Sequence, residues 1–194
     1  MESFPLEPHP TKGPVHLTLY TNVTNAGDLR KRLLAADASL SFAFVDAKVV
    51  SLFNFKHSRI AYRLRQVVDK FQVLAAANKA VHDECHGHLT THNVHSEIVY
   101  NLSPTTNISE SLRRFGISDT TTGMVIAKVG SEAEEVRATL EDLIKGDETP
   151  LDQIENFTDL KSVRKYYKLG DTPQAGKQEV LNLVVGSMAL KDIN

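Results

Sequence analysis

Apolar residues in this chain switch repeatedly between a spacing of two and a spacing of three to four. That alternation restricts the fold more than any other feature, because each period belongs to one kind of element. Val15, Leu17 and Leu19 alternate with His16, Thr18 and Tyr20, the pattern of a strand with one buried face. Ser41–Val45 reads as a second, apolar strand that Val49 and Val50 extend past a turn. Ser96–Leu102 reads as a third, with Ile98, Tyr100 and Leu102 on one face, and Thr122–Val129 as a fourth. Helical stretches lie between them. Asn25 is placed to cap a helix, with Asp28 three residues on and Leu29, Leu33 and Ala36 facing inward. The longest stripe is Ile60, Leu64, Val67, Phe71, Leu74, Asn78 and Val81. Its period allows one helix of about 30 residues or two pieces broken near Asp69, with Gly87 as the stop.

Asn107 and Glu110 form the next capping pair, before a short helix that Gly116 ends. Ser131 and Glu134 cap a helix with Val136, Leu140, Leu143 and Ile144 on one face and Gly146 at the stop. Thr158 caps another to about Lys168. Thr172-Pro173 begins the last, whose stripe is Val180, Leu181, Val184, Val185 and Met188. Four strands separated by helices predict one α/β or α+β layered domain over residues 15–194, after an extended lead-in of residues 1–14 that carries four prolines.

A chain of 194 residues fits one domain and buries roughly 70% of its unfolded surface, so it needs no disulfide or metal. Its 22 basic and 24 acidic residues leave a net charge of −2, so the chain as a whole does not attract phosphate backbones. A nucleic-acid role requires a local patch or a partner. Cys85, the single cysteine, favours a reducing compartment. With neither a basic-then-apolar start nor an apolar run of membrane-spanning length, the expectation is a soluble intracellular domain.

Nucleotide-binding glycine loops, the H-E-x-x-H zinc motif and the G-x-S-x-G elbow are all missing from the sequence. The chemical lead is His82-x-x-Cys85-His86-x-His88-x-x-x-His92-x-x-His95. His82 and His86 share a helix face, and histidine with thiolate suits zinc, so His82, Cys85 and His86 are the alternative metal or catalytic centre. The simpler reading is a helix end and a polar loop rich in histidine, which calls for no metal or cofactor. Lys56, His57, Arg59, Arg63, Arg65 and Lys70 surround Tyr62, either as a solvated helix face or as a nucleic-acid patch. The last helix is apolar over more than half its circumference, from Val180 to Leu190. One face serves its own core; the other buries deeper or meets a partner.

Residues 101–118, NLSPTTNISESLRRFGIS, resemble the signature of the kinase-binding subunit family of the KEOPS (EKC) complex. Three further blocks agree in family order: residues 22–30 (NVTNAGDLR), 71–82 (FQVLAAANKAVH) and 165–169 (KYYKL). The resemblance spans about residues 20–170 and implies a mainly antiparallel sheet packed with helices, without enzyme activity or cofactor of its own. Family members bind the amino-terminal lobe of the small KEOPS kinase, largely through the carboxy-terminal helix. The complex supports threonylcarbamoyl transfer to adenosine in ANN-decoding tRNAs, through a transferase that is another subunit. Members are also implicated in gripping the tRNA 3′ CCA end, and fungal ones in telomere maintenance, in nucleus and cytoplasm.

The resemblance makes Leu181, Val184, Val185, Met188 and Ala189 the expected partner contact, with Lys79 and Arg113 the tRNA candidates. Two departures stand out. The family pattern has basic residues in the turn before Ser96–Glu97, where this chain has His88, Thr90 and His92. Neutral histidines weaken a phosphate contact near pH 7. Residues 41–51 resemble the family strand that runs almost directly into the Phe71 helix, so residues 52–70 read as an insertion.

Overall fold

The computed structural model describes residues 1–50, 71–169 and 177–191. Its strands are β1 (Glu2–Phe4), β2 (Val15–Thr21), β3 (Ala43–Asp46), β4 (Met124–Val129) and β5 (Asp147–Thr149). Its helices are α1 (Ala26–Leu34), α2 (Phe71–Cys85), α3 (Val94–Asn101), α4 (Ile108–Phe115), α5 (Ala133–Leu143), α6 (Leu160–Tyr166) and α7 (Lys177–Ala189). All strand pairs are antiparallel, in the order β1-β2-β4-β3, and β5 pairs the far end of β2. Leu17 lies opposite Ala127, and Val125 lies between Leu19 and Val45. The expected single α+β domain with a helix-packed antiparallel sheet is therefore the architecture found. The basic cluster and the insertion at 52–70 fall outside the described residues, as does the expected helix start at Thr172.

Helices cover both faces of the sheet. One face, with Leu17, Leu19, Val45, Val125 and Ala127, packs against α2, α3 and α7 through Ala77, Ile98 and Val184. The other, with Tyr20, Phe44, Met124 and Ile126, packs on Leu29 of α1 and on Val136 and Leu140 of α5. The expectation that β2 buries one face is thus corrected: all seven of its residues are buried. Its polar side chains are satisfied locally. His16 Nε2 donates to the Ser131 carbonyl at 3.1 Å and Nδ1 accepts from the Ser3 hydroxyl at 2.7 Å.

The segment read as a third strand, Ser96–Leu102, lies in and just past helix α3. Asn93 caps α3 by accepting the Ser96 N–H at 2.9 Å, and nearly every side chain of the helix is buried. A helix buried all round has no polar face, so its short apolar run mimics a strand. In α2 the inward residues are Gln72, Val73, Ala76, Ala77, Ala80 and Val81, whereas Phe71 is 46% exposed. The expected stripe of Phe71, Leu74 and Asn78 is displaced, because alanines let α2 approach its neighbours closely. Gly87 ends α2 as expected, at φ 69°, with its N–H on the Glu84 carbonyl and the His88 N–H on the Asp83 carbonyl. Gly116 follows α4 as expected, with its N–H on the Leu112 carbonyl, at a position where a Cβ would lie 2.5 Å from that oxygen.

Four local expectations change. Asn25 precedes α1 but does not cap it; its side chain donates to the Leu143 carbonyl and accepts from the Lys145 N–H, tying α1 to the end of α5. Ala36 falls beyond α1, in the left-handed region and exposed. Ser131 is likewise left-handed, and Glu132 precedes α5 without a side-chain cap. Asp159, not Thr158, caps α6, while Thr158 donates to the Val50 carbonyl at 2.8 Å. The lead-in belongs to the packed structure, since β1 edges the sheet and Leu6 is buried in the core.

His95 is buried where α3 meets the sheet. The Val129 N–H donates to its Nε2 at 3.3 Å, and burial, aided by the Lys128 charge, pushes its pKa from 6.5 down to about 3. Between those values the unfolded chain takes up a proton that the folded chain refuses, so stability is full above pH 6.5 and falls with acid. We expect this loss to approach about 1.4 kcal/mol per pH unit within the window. Urea unfolding at pH 7 and pH 5 should show a smaller drop for His95→Gln; equal drops would assign the sensitivity to other groups.

Candidate protein-docking face

The last helix meets the core along one line. Val180, Val184 and Met188 recur every fourth residue and are buried to 4%, 0% and 5% exposure. Just past α7, the buried Lys191 ammonium donates to the Tyr100 carbonyl at 2.6 Å, a cation at the carbonyl end of α3. Tyr167 donates to the Leu102 carbonyl and accepts from Gln72 Nε2 at 2.9 Å. Burial raises the Tyr167 pKa, so the hydroxyl stays protonated and donating. The signature segment that begins at Asn101 is therefore largely architecture: Ser103, Ser111 and Phe115 are fully buried, and Asn107 caps α4 by accepting the Glu110 N–H. Glu110 pairs with Arg114 rather than closing a capping box.

With its inner line committed, α7 turns a second apolar line outward. Leu183 is 47% exposed and Leu190 54%, seven residues apart and so on one face. Gly186 lies between them, and a Cβ built there meets nothing within 4 Å. A mid-helix glycine costs about 1 kcal/mol relative to alanine. Here it leaves a shallow notch flanked by two leucines. On one flank α7 borders an open groove of about 600 Å³, where the Arg114 guanidinium lies 5.1 Å from the Tyr166 ring centre. On the other flank Val185, Met188 and Ala189 border a smaller cavity of about 160 Å³ against α2 and α3.

The structure divides the expected contact residues. Val184 and Met188 are buried in the chain's own core cluster. Val185 is half-buried and Ala189 exposed. For Leu181, only its place on α7 lies within the description. Leu183, Gly186 and Leu190 were not singled out as contacts, although their spacing becomes legible once 180, 184 and 188 are fixed as the inner line.

Lys79 and Arg113 stand on separate helices. The Lys79 ammonium lies 3.0 Å from Asp83, which offsets its charge, and Arg113 is exposed near the end of α4. His88, Thr90 and His92 are exposed in the loop between α2 and α3.

The alternative centre at His82, Cys85 and His86 is not assembled. The His82 and His86 rings lie 4.2 Å apart, but His86 Nδ1 donates to the His82 carbonyl at 2.7 Å and Cys85 is exposed. Among the described residues, no group of three or more histidine, cysteine or carboxylate side chains is placed to hold a metal ion. Nor, among them, is any helix long and apolar enough to cross a membrane.

The model of the family described as kinase binding protein CGI-121 matches residues 20–192. The EKC/KEOPS complex subunit cgi121 of Aspergillus fumigatus is 34% identical, over 97% of this chain and 98% of its own length. The EKC/KEOPS complex subunit TPRKB of Danio rerio is 36% identical, over 90% of this chain and 89% of its own. The CGI121 subunit of Gibberella zeae is 32% identical, over 100% and 99%. A match that runs from β2 past the end of α7, with full-length relatives in fungi and an animal, leaves one conclusion: the chain belongs to the CGI-121 family.

Proposed function

We propose that this chain is the non-catalytic, kinase-binding subunit of an EKC/KEOPS complex and that it docks on the small kinase through the outer face of α7. The observation that carries the reading is the Leu183–Gly186–Leu190 line on a helix whose inner line is already buried. Apolar residues held open to water on a well-packed helix favour a protein partner over solvent. The description of the family and the names of the relatives supply the kind of partner. Docking of this kind acts by favouring one conformation of the kinase, since a ligand shifts an equilibrium only by its preference between states.

On the same reading the complex, in nucleus and cytoplasm, supports threonylcarbamoyl modification of adenosine in ANN-decoding tRNAs, with telomere maintenance as a further role. Contact with the tRNA 3′ end is assigned here to Arg113 rather than to Lys79, whose charge Asp83 offsets. The near-neutral chain fits an adaptor that meets tRNA beside more basic partners. Gel filtration of the purified chain with the purified KEOPS kinase tests the core of the proposal. Co-elution as a 1:1 complex is expected, and separate elution at micromolar concentrations of both would contradict it.

A further inference from the structure

Helix α6 ends in a turn that glycine serves best. The Leu169 N–H donates to the Arg164 carbonyl at 3.0 Å and the Lys168 N–H to the Lys165 carbonyl at 3.4 Å. That double closure puts the residue after the cap in the left-handed region, and Lys168 takes it at φ 52°. A residue with a Cβ is strained there, whereas glycine enters the region freely. The helix itself has no need of a lysine at this point. Arg164 and Lys165 already place basic residues in its last turn, and Lys168 is exposed and in no ion pair among the described residues. Strain kept without a use inside the fold points to a use outside it.

Lys168 lines the open groove of about 600 Å³ between α4, the end of α6 and α7. Its charged lining residues, among those described, are Arg114, Lys168, Lys191 and Glu110. Glu110 pairs with Arg114, whose guanidinium is held 5.1 Å from the Tyr166 ring centre. Lys191 is buried, with its ammonium on the Tyr100 carbonyl. Lys168 is thus the cation that faces open water, in a lining with more positive than negative charge. Ser187 and Leu190 of α7 stand in the same lining, so the groove adjoins the outer docking line. Its volume takes a short stretch of chain rather than one side chain. A nucleic-acid strand suits it less well: phosphates bring a charge at every step and call for a row of cations, whereas this lining sets the Glu110 carboxylate beside Lys168.

We propose that the groove between α4 and α7 receives an acidic segment of the partner kinase, with a carboxylate of that segment paired to Lys168. The inference rests on the kinase-docking reading. The outer line of α7 supplies apolar contact, and Lys168 adds register and choice of partner through charge.

The test is calorimetric titration of the full chain into the purified kinase at low and high salt, with thermal melting of each variant alone. Lys168→Glu should melt as the unaltered chain does and bind about tenfold more weakly at about 0.05 M salt, with the difference shrinking at about 0.5 M because salt screens the pair. Lys168→Gly relieves the left-handed strain and deletes the cation, so it should melt at a higher temperature and still bind more weakly. A residue that serves the fold alone would not give that pairing of gain and loss. Native affinity in both variants at low salt would overturn the inference, and so would a loss that salt leaves unchanged. A melting temperature lowered by Lys168→Gly would assign the side chain to the fold and overturn it equally. Fluorescence anisotropy with tRNA covers the nucleic acid: weaker tRNA binding by Lys168→Glu with kinase affinity intact would give the groove to a phosphate backbone instead. Failure of the unaltered chain to bind the kinase overturns the docking reading and this inference with it, whereas kinase binding that ignores both substitutions overturns this inference alone.

Discussion

Exchanging Val184 for glutamate unfolds the chain rather than merely freeing it from a partner. Val184 has no exposed surface and packs in the same cluster as Ala77, Ile98 and Val163. A carboxylate forced into that site has no cation to meet it in the cluster. Burying an unpaired charge costs several kcal/mol, comparable with the roughly 5–15 kcal/mol that holds a domain together. Circular dichroism should show lost helix signal and no cooperative melt. Read from sequence alone, Val184 belongs to the contact stripe and the same substitution would leave a native spectrum with binding abolished. That outcome would mean that α7 presents its other side to the core.

Leu183→Glu should behave in the opposite way. The side chain is about half exposed, so a charge there remains in water and stability changes by no more than about 0.5 kcal/mol. In the docked state the same carboxylate is pressed against an apolar surface beside the Gly186 notch. Truncating a central anchor of an interface costs about 2 kcal/mol or more, which is about 30-fold in affinity, and a charge costs more than a truncation. The expected result is a native melt with binding of the kinase weakened at least 30-fold. Leu190→Glu, one interface length along the same line, should weaken it less, being nearer the rim. Native affinity in both variants would move the docking surface off this face.

These two substitutions also show how far the sequence could be read. Strand β2 was legible because period two persists over Val15–Tyr20 and β4 as a short apolar run, and the ends of α2 and α4 because Gly87 and Asn107 do local work that needs no tertiary context. Strands β1 and β5 were not, since three-residue edges carry no period and exist only because β2 offers them its open edge end to end. The α3 helix was hidden by its burial on every side. In α2 the inward alanines carry too little hydrophobic contrast to outweigh Phe71 and Leu74. The two faces of α7 posed the same difficulty in another form: a helix apolar nearly all round does not say which line points inward until its neighbours are placed. Family membership was legible from four short blocks, yet the longest of them, residues 101–118, serves mainly to cap and seal the junction of helices.

Hydrogen–deuterium exchange of the chain with and without the KEOPS kinase tests the central claim most directly. Exchange reports local opening, so amides that gain a partner's cover gain protection. Docking through the outer face of α7 predicts added protection along residues 179–190, with the β3 edge of the sheet unchanged. Protection gained at β3 or α1 while α7 exchanges as it does alone would contradict the account.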